Sequence, residues 1–173
     1  MRRFILPLFL GIFFLTLQTT LLMTLPIQRI RPDIVLILIL YLSLSYPLIS
    51  GGILTVFFGY LMDLFSGNSF GLYTFSRPLI FFMAQFFMNR FYLKGFSSQF
   101  IFVFIFALLE GLLILILLSV LNLPFLHNLY HSFFTFFIPQ SFSTGLIAPL
   151  LFLLFDKGLV FLNQREVHLV KKG

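Results

Sequence analysis

Long apolar segments separated by short polar links occupy almost the whole chain. Four of these segments are full-length and cover residues 4–25, 72–89, 100–121 and 132–155. A hydrocarbon core of about 30 Å takes about 20 helical residues, so each segment predicts one membrane-spanning helix. The pattern therefore predicts an all-α integral membrane protein.

The segment 34–65 is harder to interpret, because Pro47 and the pair Gly51-Gly52 interrupt it. It is longer than one crossing but shorter than the about 40 residues that two full crossings take. It is compatible with two short or tilted spans, a re-entrant hairpin or one long helix. The first two leave the chain on the side where it entered, whereas a single helix reverses every later link.

Basic residues decide between these topologies, since Lys and Arg are enriched in cytoplasmic links. With a cytoplasmic N-terminus and paired passes in 34–65, only Arg29 and Arg31 lie in outer links, and the cytoplasmic side holds Arg2, Arg3, Arg90, Lys94, Lys157, Arg165, Lys171 and Lys172. One long helix would place the later basic residues outside. We therefore expect about six transmembrane helices, the second and third short or partly re-entrant, with cytoplasmic termini.

Composition agrees with this picture, because 60% of the residues are hydrophobic, 9% are charged and the mean hydropathy is +1.10. Soluble domains carry far more charge. The net charge of +6 comes mainly from the links and tails, so it indicates topology and no nucleic-acid partner. We expect a single polytopic membrane domain over 1–173, in which 156–173 is a short basic tail at the cytoplasmic surface of the bilayer.

The stretch 51–71 is the most distinctive in the chain. Gly52, Gly59 and Asp63 stand at i, i+7 and i+11, which puts them on one face of a helix at about 100° per residue. Glycines on such a face let a neighbouring helix approach closely in lipid. The small and polar residues of 66–71 then predict a turn.

Charged residues at or inside the apolar segments are the candidates for a functional role. Asp33 follows Pro32, which predicts a helix that starts with Asp33 as its N-cap. Asp63 and Arg77 fall at similar depths in consecutive helices, so we expect them to pair, with a bound polar ligand or proton as the alternative. Glu110 lies at mid-depth and is either protonated, paired with Arg77 or directed toward another protein.

Catalytic patterns give no support for an enzyme. Serine hydrolase, metalloprotease and P-loop motifs are absent, and the chain has no Cys. His127 and His131 have the spacing of metal ligands, but no third ligand accompanies them, and we interpret them as interfacial polar residues. We predict no catalytic, cofactor or metal site.

Residues 31–90 resemble the core of the MreD family of rod shape-determining proteins. The likeness lies in Arg31-Pro32-Asp33, in Gly59-x-x-x-Asp63, in Ser66-Gly67 and in Gly71-Leu72-Tyr73. It implies a non-catalytic scaffold of the bacterial inner membrane that holds the bitopic protein MreC. Through MreC it implies contact with the peptidoglycan synthase complex of RodA and a class B penicillin-binding protein, coupled to MreB filaments.

The same resemblance implies structural and partner-docking roles for Pro32, Asp33, Gly59, Asp63 and Gly71, to which the glycine face and the charge pattern add Gly52, Arg77 and Glu110. The alternative function is the substrate-binding subunit of an energy-coupling-factor vitamin transporter, also a small six-span protein. Those subunits resemble one another in small-x-x-x-small patterns on the first helix. This chain lacks the pattern, because Gly11 has no small residue four positions away on either side.

Overall fold

The structure is a computed structural model that describes residues 2–24, 32–66, 71–87, 95–120 and 133–170. Within these ranges the chain forms helices and no strands. The six α-helices are α1 (Arg2–Thr24), α2 (Ile34–Ser45), α3 (Leu48–Ser66), α4 (Leu72–Phe87), α5 (Phe96–Val120) and α6 (Ile138–Val170), and a π-helical turn, Phe133–Phe137, leads into α6. The predicted all-α class is confirmed, and the six α-helices of the described ranges agree with the expected number of helices. Three of the described helical segments, Leu48–Phe65, Phe96–Val120 and Phe134–Gly158, are long and apolar enough to cross a membrane.

Successive helices run in opposite directions. The end of α3 meets the start of α4 where Asp63 bonds to Tyr73, and the start of α3 meets the middle of α4 where Gly51 faces Phe81. The five other α-helices all contact α2. The result is an up-down bundle, which is what consecutive membrane-spanning helices with short links require.

Helix α2 is the centre of the bundle. Every residue from Val35 to Ser43 is buried, with exposure between 0% and 6%. A helix that is apolar on all sides belongs in a protein interior. At about 1.5 Å per residue, its 12 residues span roughly 18 Å, less than a hydrocarbon core of about 30 Å. The predicted shortness therefore applies to α2. Helix α3, which was also expected to be short or partly re-entrant, contains an apolar segment, Leu48–Phe65, that is long enough to cross a membrane.

Phenylalanine rings seated on glycines hold neighbouring helices together. A Cβ placed on Gly11 would lie 2.1 Å from the ring of Phe58, and one on Gly111 would lie 2.6 Å from that of Phe137. The same arrangement joins Gly51 to Phe81 and Gly145 to Phe100. Packing of this kind provides the attraction between helices in lipid, where the hydrophobic effect does not. It also explains how a chain with 28 Phe and 11 Gly builds a close-packed core.

The last helix extends further than the hydropathy pattern predicts. The apolar segment ends at Phe155, but α6 continues to Val170. The added residues include Leu, Gln, Arg and Glu, which favour helix, and no proline follows Pro149. Residues 156–170 of the predicted tail are therefore helical.

Candidate functional site: a buried charged cluster

Arg77 lies at the centre of a cluster of three charged side chains, which we name the charged cluster: Asp33, Arg77 and Glu110. The Arg77 side chain is fully buried. Its Nη2 donates a hydrogen bond to Oδ2 of Asp33, and its Nε lies 2.9 Å from Oε1 of Glu110. The cluster joins the start of α2 to the second turn of α4 and the middle of α5. The structure thus places Glu110 in contact with Arg77, and an ionised or a protonated carboxyl group can make this contact.

The predicted pair of Asp63 with Arg77 is wrong. Asp63 instead accepts hydrogen bonds from the backbone N–H groups of Tyr73, at 2.9 Å, and Thr74, at 2.8 Å, and from the Thr74 hydroxyl. The physical reason is that the first turn of a helix has free N–H groups and a partial positive charge, which compete for a nearby carboxylate. Asp63 lies beside that first turn, and Arg77 lies one turn deeper.

The predicted glycine face exists, and α4 covers it. A Cβ on Gly59 would lie 2.5 Å from the carbonyl oxygen of Tyr73, so only glycine allows the α3 and α4 backbones to approach this closely. Gly52 faces the ring of Phe82, also in α4, and a Cβ on Gly52 would lie at an ordinary contact distance of 3.4 Å from that ring. Gly52, Gly59 and Asp63 therefore form the α3 side of an internal helix contact.

Gly71 has a different role, at the turn that precedes α4. Its φ of +100° lies in the left-handed region that favours glycine, and a Cβ there would meet nothing within 4 Å. The constraint at this position is therefore backbone conformation. Its carbonyl accepts a hydrogen bond from the N–H of Phe75, which starts the helix that carries Arg77.

The start of α2 lies inside the bundle, and its free N–H groups all have partners. Asp33 caps the helix as predicted, because its Oδ1 accepts from the N–H of Leu36 at 2.9 Å. Gln18 of α1 accepts from Ile34 and Val35 at 3.1 and 3.2 Å, and the hydroxyl of Thr144 of α6 accepts from Asp33 at 3.0 Å. Pro32, just before, has no N–H to satisfy. A helix can begin away from water only when protein groups replace water as the acceptors of its free N–H groups.

Sequence reasoning missed Gln18 and the contact between Thr144 and Asp33. The signal for Gln18 was available, because a single amide in a long apolar segment must find a partner inside the protein. Thr144 does donate to the carbonyl of Gln140, at 2.7 Å, as hydroxyls near helix prolines often do. Its contact with Asp33 joins residues 111 positions apart, and no sequence pattern indicates that.

A polar cavity of about 170 Å³ lies beside the charged cluster. The charged and polar side chains in its wall are Asp33, Glu110, Tyr73, Gln140, Ser141 and Thr144. Its apolar wall includes Phe137 of the π-helical turn. Among the described residues, no three His, Cys, Asp or Glu side chains lie close enough to hold a metal ion. His127 and His131 lie outside the described residues.

The electrostatics of the cluster depend on Arg77. Its guanidinium carbon lies 5.4 Å from the ring centre of Tyr73, within the range of a cation–π contact. Its Nη1 has no hydrogen-bond partner among the residues that the structure describes. The arrangement can hold three helices together through charge, and it can exchange a proton or a water with the cavity.

Comparison with protein families settles which family this architecture belongs to. A family model described as rod shape-determining protein MreD matches residues 2–161. The chain belongs to the MreD family. No curated protein and no solved structure gives a match.

The MreD match reaches well beyond the stretch whose motifs resemble the family. Residues 31–90 carry that resemblance, whereas the match also includes α1, α5 and most of α6. Every member of the charged cluster, together with Gln18 and Thr144, lies inside it. Membership in the MreD family means a rod-shape-determining membrane protein, and the described apolar helices are consistent with this.

Proposed function

We propose that this protein is a non-catalytic scaffold of the cell-elongation machinery in the bacterial inner membrane, and that it holds an MreC-like bitopic partner. Through that partner it would contact RodA, a class B penicillin-binding protein and, indirectly, MreB filaments. Membership in the MreD family supports the rod-shape role. The partner and the scaffold mechanism are the further steps of the proposal.

The observation that carries the scaffold mechanism is the distribution of polar groups. The buried acidic side chains Asp33, Asp63 and Glu110 bind helix starts or Arg77, so they stabilise the bundle. Many large apolar side chains are exposed, such as Phe9 at 71%, Ile49 at 74% and Phe86 at 82%. A helix bundle with buried charges and an apolar surface can pack that surface against another membrane helix.

The size of the cavity favours a scaffold over the vitamin-transporter subunit. Pockets for drug-sized ligands have about 300–1,000 Å³, whereas this cavity has about 170 Å³. Its wall contains two carboxylates and few apolar rings, which suits water and small charged species.

Site-specific photocrosslinking tests the proposal and finds the docking face. A photoreactive amino acid is placed at one exposed position on each of several helices: Phe9 of α1, Tyr60 of α3, Ile116 of α5 and Leu150 of α6. We expect one or two neighbouring positions to crosslink a tagged MreC-like protein from the same organism. Phe58, which is 0% exposed, serves as the buried control.

The proposal also predicts loss of rod shape when the gene is removed. Tight binding of a vitamin by the purified protein, together with normal cell shape after deletion, would contradict the scaffold function and support the transporter-subunit function. Equal crosslinking at every exposed position would show that the two proteins meet only by random collision in the bilayer, which would contradict a specific docking face.

A further inference from the structure

The charged cluster contains one more acid than base. Asp33, Arg77 and Glu110 are 6%, 0% and 4% exposed. If all three are ionised, the cluster has a net charge of −1 in a site almost closed to the surroundings. A buried charge without compensation is costly, so this form of the cluster requires one further positive charge.

The two carboxylates are held differently. Asp33 accepts directed hydrogen bonds from Arg77 and from the N–H of Leu36. Oε1 of Glu110 is close to Nε of Arg77, at 2.9 Å, but the contact lies off the N–H direction. No described residue donates a hydrogen bond to this oxygen. Asp33 thus has the charge-assisted hydrogen bonds that this oxygen of Glu110 lacks.

Glu110 also faces the cavity, where water can reach it. The cavity of about 170 Å³ is far larger than the about 10–15 Å³ that one water needs, and polar groups line it. Ser141, which is 2% exposed, lies in the same wall. The π-helical turn that contributes Phe137 is a second indication, because such turns are frequent at functional sites.

We propose that this cavity is a hydrated proton-binding site, in which Glu110 holds one exchangeable proton while Arg77 stays paired with Asp33. The proton comes from a cavity water and returns to one, so no bond other than O–H forms or breaks. The protonated acid is neutral, which removes the excess charge, and its O–H can donate to water. The proposal stands apart from the scaffold function, since it needs no partner protein.

The groups that face Glu110 are known for each element packed against α5. They are Arg77 and Tyr73 from α4, Asp33 from the start of α2, and Gln140, Ser141 and Thr144 from α6. Arg77 attracts a negative charge on Glu110, and Asp33 repels it. Within the described ranges, no other charged residue lines the cavity, so removing the charge of Asp33 should make Glu110 release its proton to balance Arg77.

Infrared spectroscopy of the full chain in lipid vesicles tests this directly. We expect the carbonyl stretch of a protonated carboxylic acid at neutral pH. The variant Glu110→Gln should lose that band, and Asp33→Asn should lose it too, because Glu110 then ionises. The control Asp156→Asn should retain it, since Asp156 is exposed at the other end of α2, where it accepts from Tyr41 at 2.7 Å.

A measurement without substitutions covers the case in which Glu110→Gln does not fold. The chain contains only two glutamates, Glu110 and Glu166, so carbon-13 labelling of glutamate should shift the band in the unmodified protein. Glu166 lies near the chain end, and Glu166→Gln should leave the band in place. A band that shifts only on labelling of aspartate would overturn the proposal.

Stability against pH gives the second readout. The folded protein would bind a proton that the unfolded chain releases at neutral pH, so stability must fall as pH rises. The folding equilibrium should weaken by up to about tenfold per pH unit, and Glu110→Gln should flatten this slope. Stability that depends on sodium at constant ionic strength, with no protonated-acid band at any pH, would show a bound alkali cation and contradict the proton site.

Discussion

Asp63 at the end of α3 binds the backbone and the side chain of Thr74 at the start of α4. The carboxylate accepts from the Thr74 N–H at 2.8 Å and from its hydroxyl, and it also accepts from the Tyr73 N–H. Asp63 therefore caps α4 from a neighbouring helix, because it accepts from the free N–H groups that an N-cap residue of α4 itself would otherwise bind. The Gly59-x-x-x-Asp63 motif is therefore one device, in which the glycine brings the backbones together and the acid closes the contact.

Removing this cap should destabilise the protein. Asp63→Ala leaves two backbone donors without a partner in a partly buried site, and each such donor costs about 1–3 kcal/mol. We expect Asp63→Asn to lose less, because its amide oxygen can still accept. Chemical denaturation in detergent micelles measures both. The exchanged variant Asp63→Arg with Arg77→Asp should not recover stability, since these two residues are not paired.

Two glycines on one face of α3 provide a matched comparison. Gly59→Ala would put a methyl group 2.5 Å from a backbone oxygen of Tyr73, which cannot move without shifting α4. Overpacking of this kind costs about 1–3 kcal/mol. Gly52→Ala meets the edge of Phe82 at 3.4 Å and should be tolerated. Equal melting temperatures for the two variants would contradict the close approach at Gly59.

The buried start of α2 predicts a hydroxyl requirement at Thr144. Thr144→Val keeps the shape but removes the acceptor for the Asp33 N–H, so we expect a loss of about 1–3 kcal/mol. Thr144→Ser keeps the hydroxyl and should retain most of the stability. Gln18→Leu removes the acceptor for two N–H groups and should have a larger effect than Thr144→Val. Thermal unfolding of the four proteins ranks them.

Topology follows from the basic residues and from the alternating helix directions. A reporter fused after Lys172 should indicate the cytoplasm, as should one in the link 90–99. One fused at Asn68, in the link between α3 and α4, should indicate the outer side, because α3 is the third helix after a cytoplasmic N-terminus. A cytoplasmic signal at Asn68 would mean that the helices from residue 34 onward are oriented the other way.

Local features of this fold were accessible from the sequence. The apolar segments predict the helices, Pro32-Asp33 predicts the cap of α2, and the spacing of Gly52, Gly59 and Asp63 predicts their common face. Each depends on residues close together in the chain. The partner of Asp63 was predicted wrongly, because the prediction compared only the depths of charged side chains in the membrane. The backbone N–H groups of α4 lie nearer to Asp63, but residue types do not indicate backbone groups.

Long-range relationships were not accessible in the same way. The bonds of Gln18 to α2 and of Thr144 to Asp33 join distant segments, and many arrangements of six apolar helices fit the same hydropathy pattern. The charged cluster is an intermediate case. Pairing of Glu110 with Arg77 was one of several possibilities, and only the packing of α2 against α4 and α5 shows that both acids share one arginine.

Arg77 should be the most sensitive position in the protein. Arg77→Leu leaves Asp33 buried and charged without its partner, and breaking a buried ion pair in this way costs about 3–5 kcal/mol. Adding Asp33→Asn should recover much of the loss, because asparagine carries no charge and still caps Leu36. Adding Glu110→Gln should recover less, since Glu110 has no directed hydrogen bond to Arg77. Unfolding of the single and double variants gives the two coupling energies, and a larger coupling to Glu110 than to Asp33 would contradict the inequality of the two carboxylates.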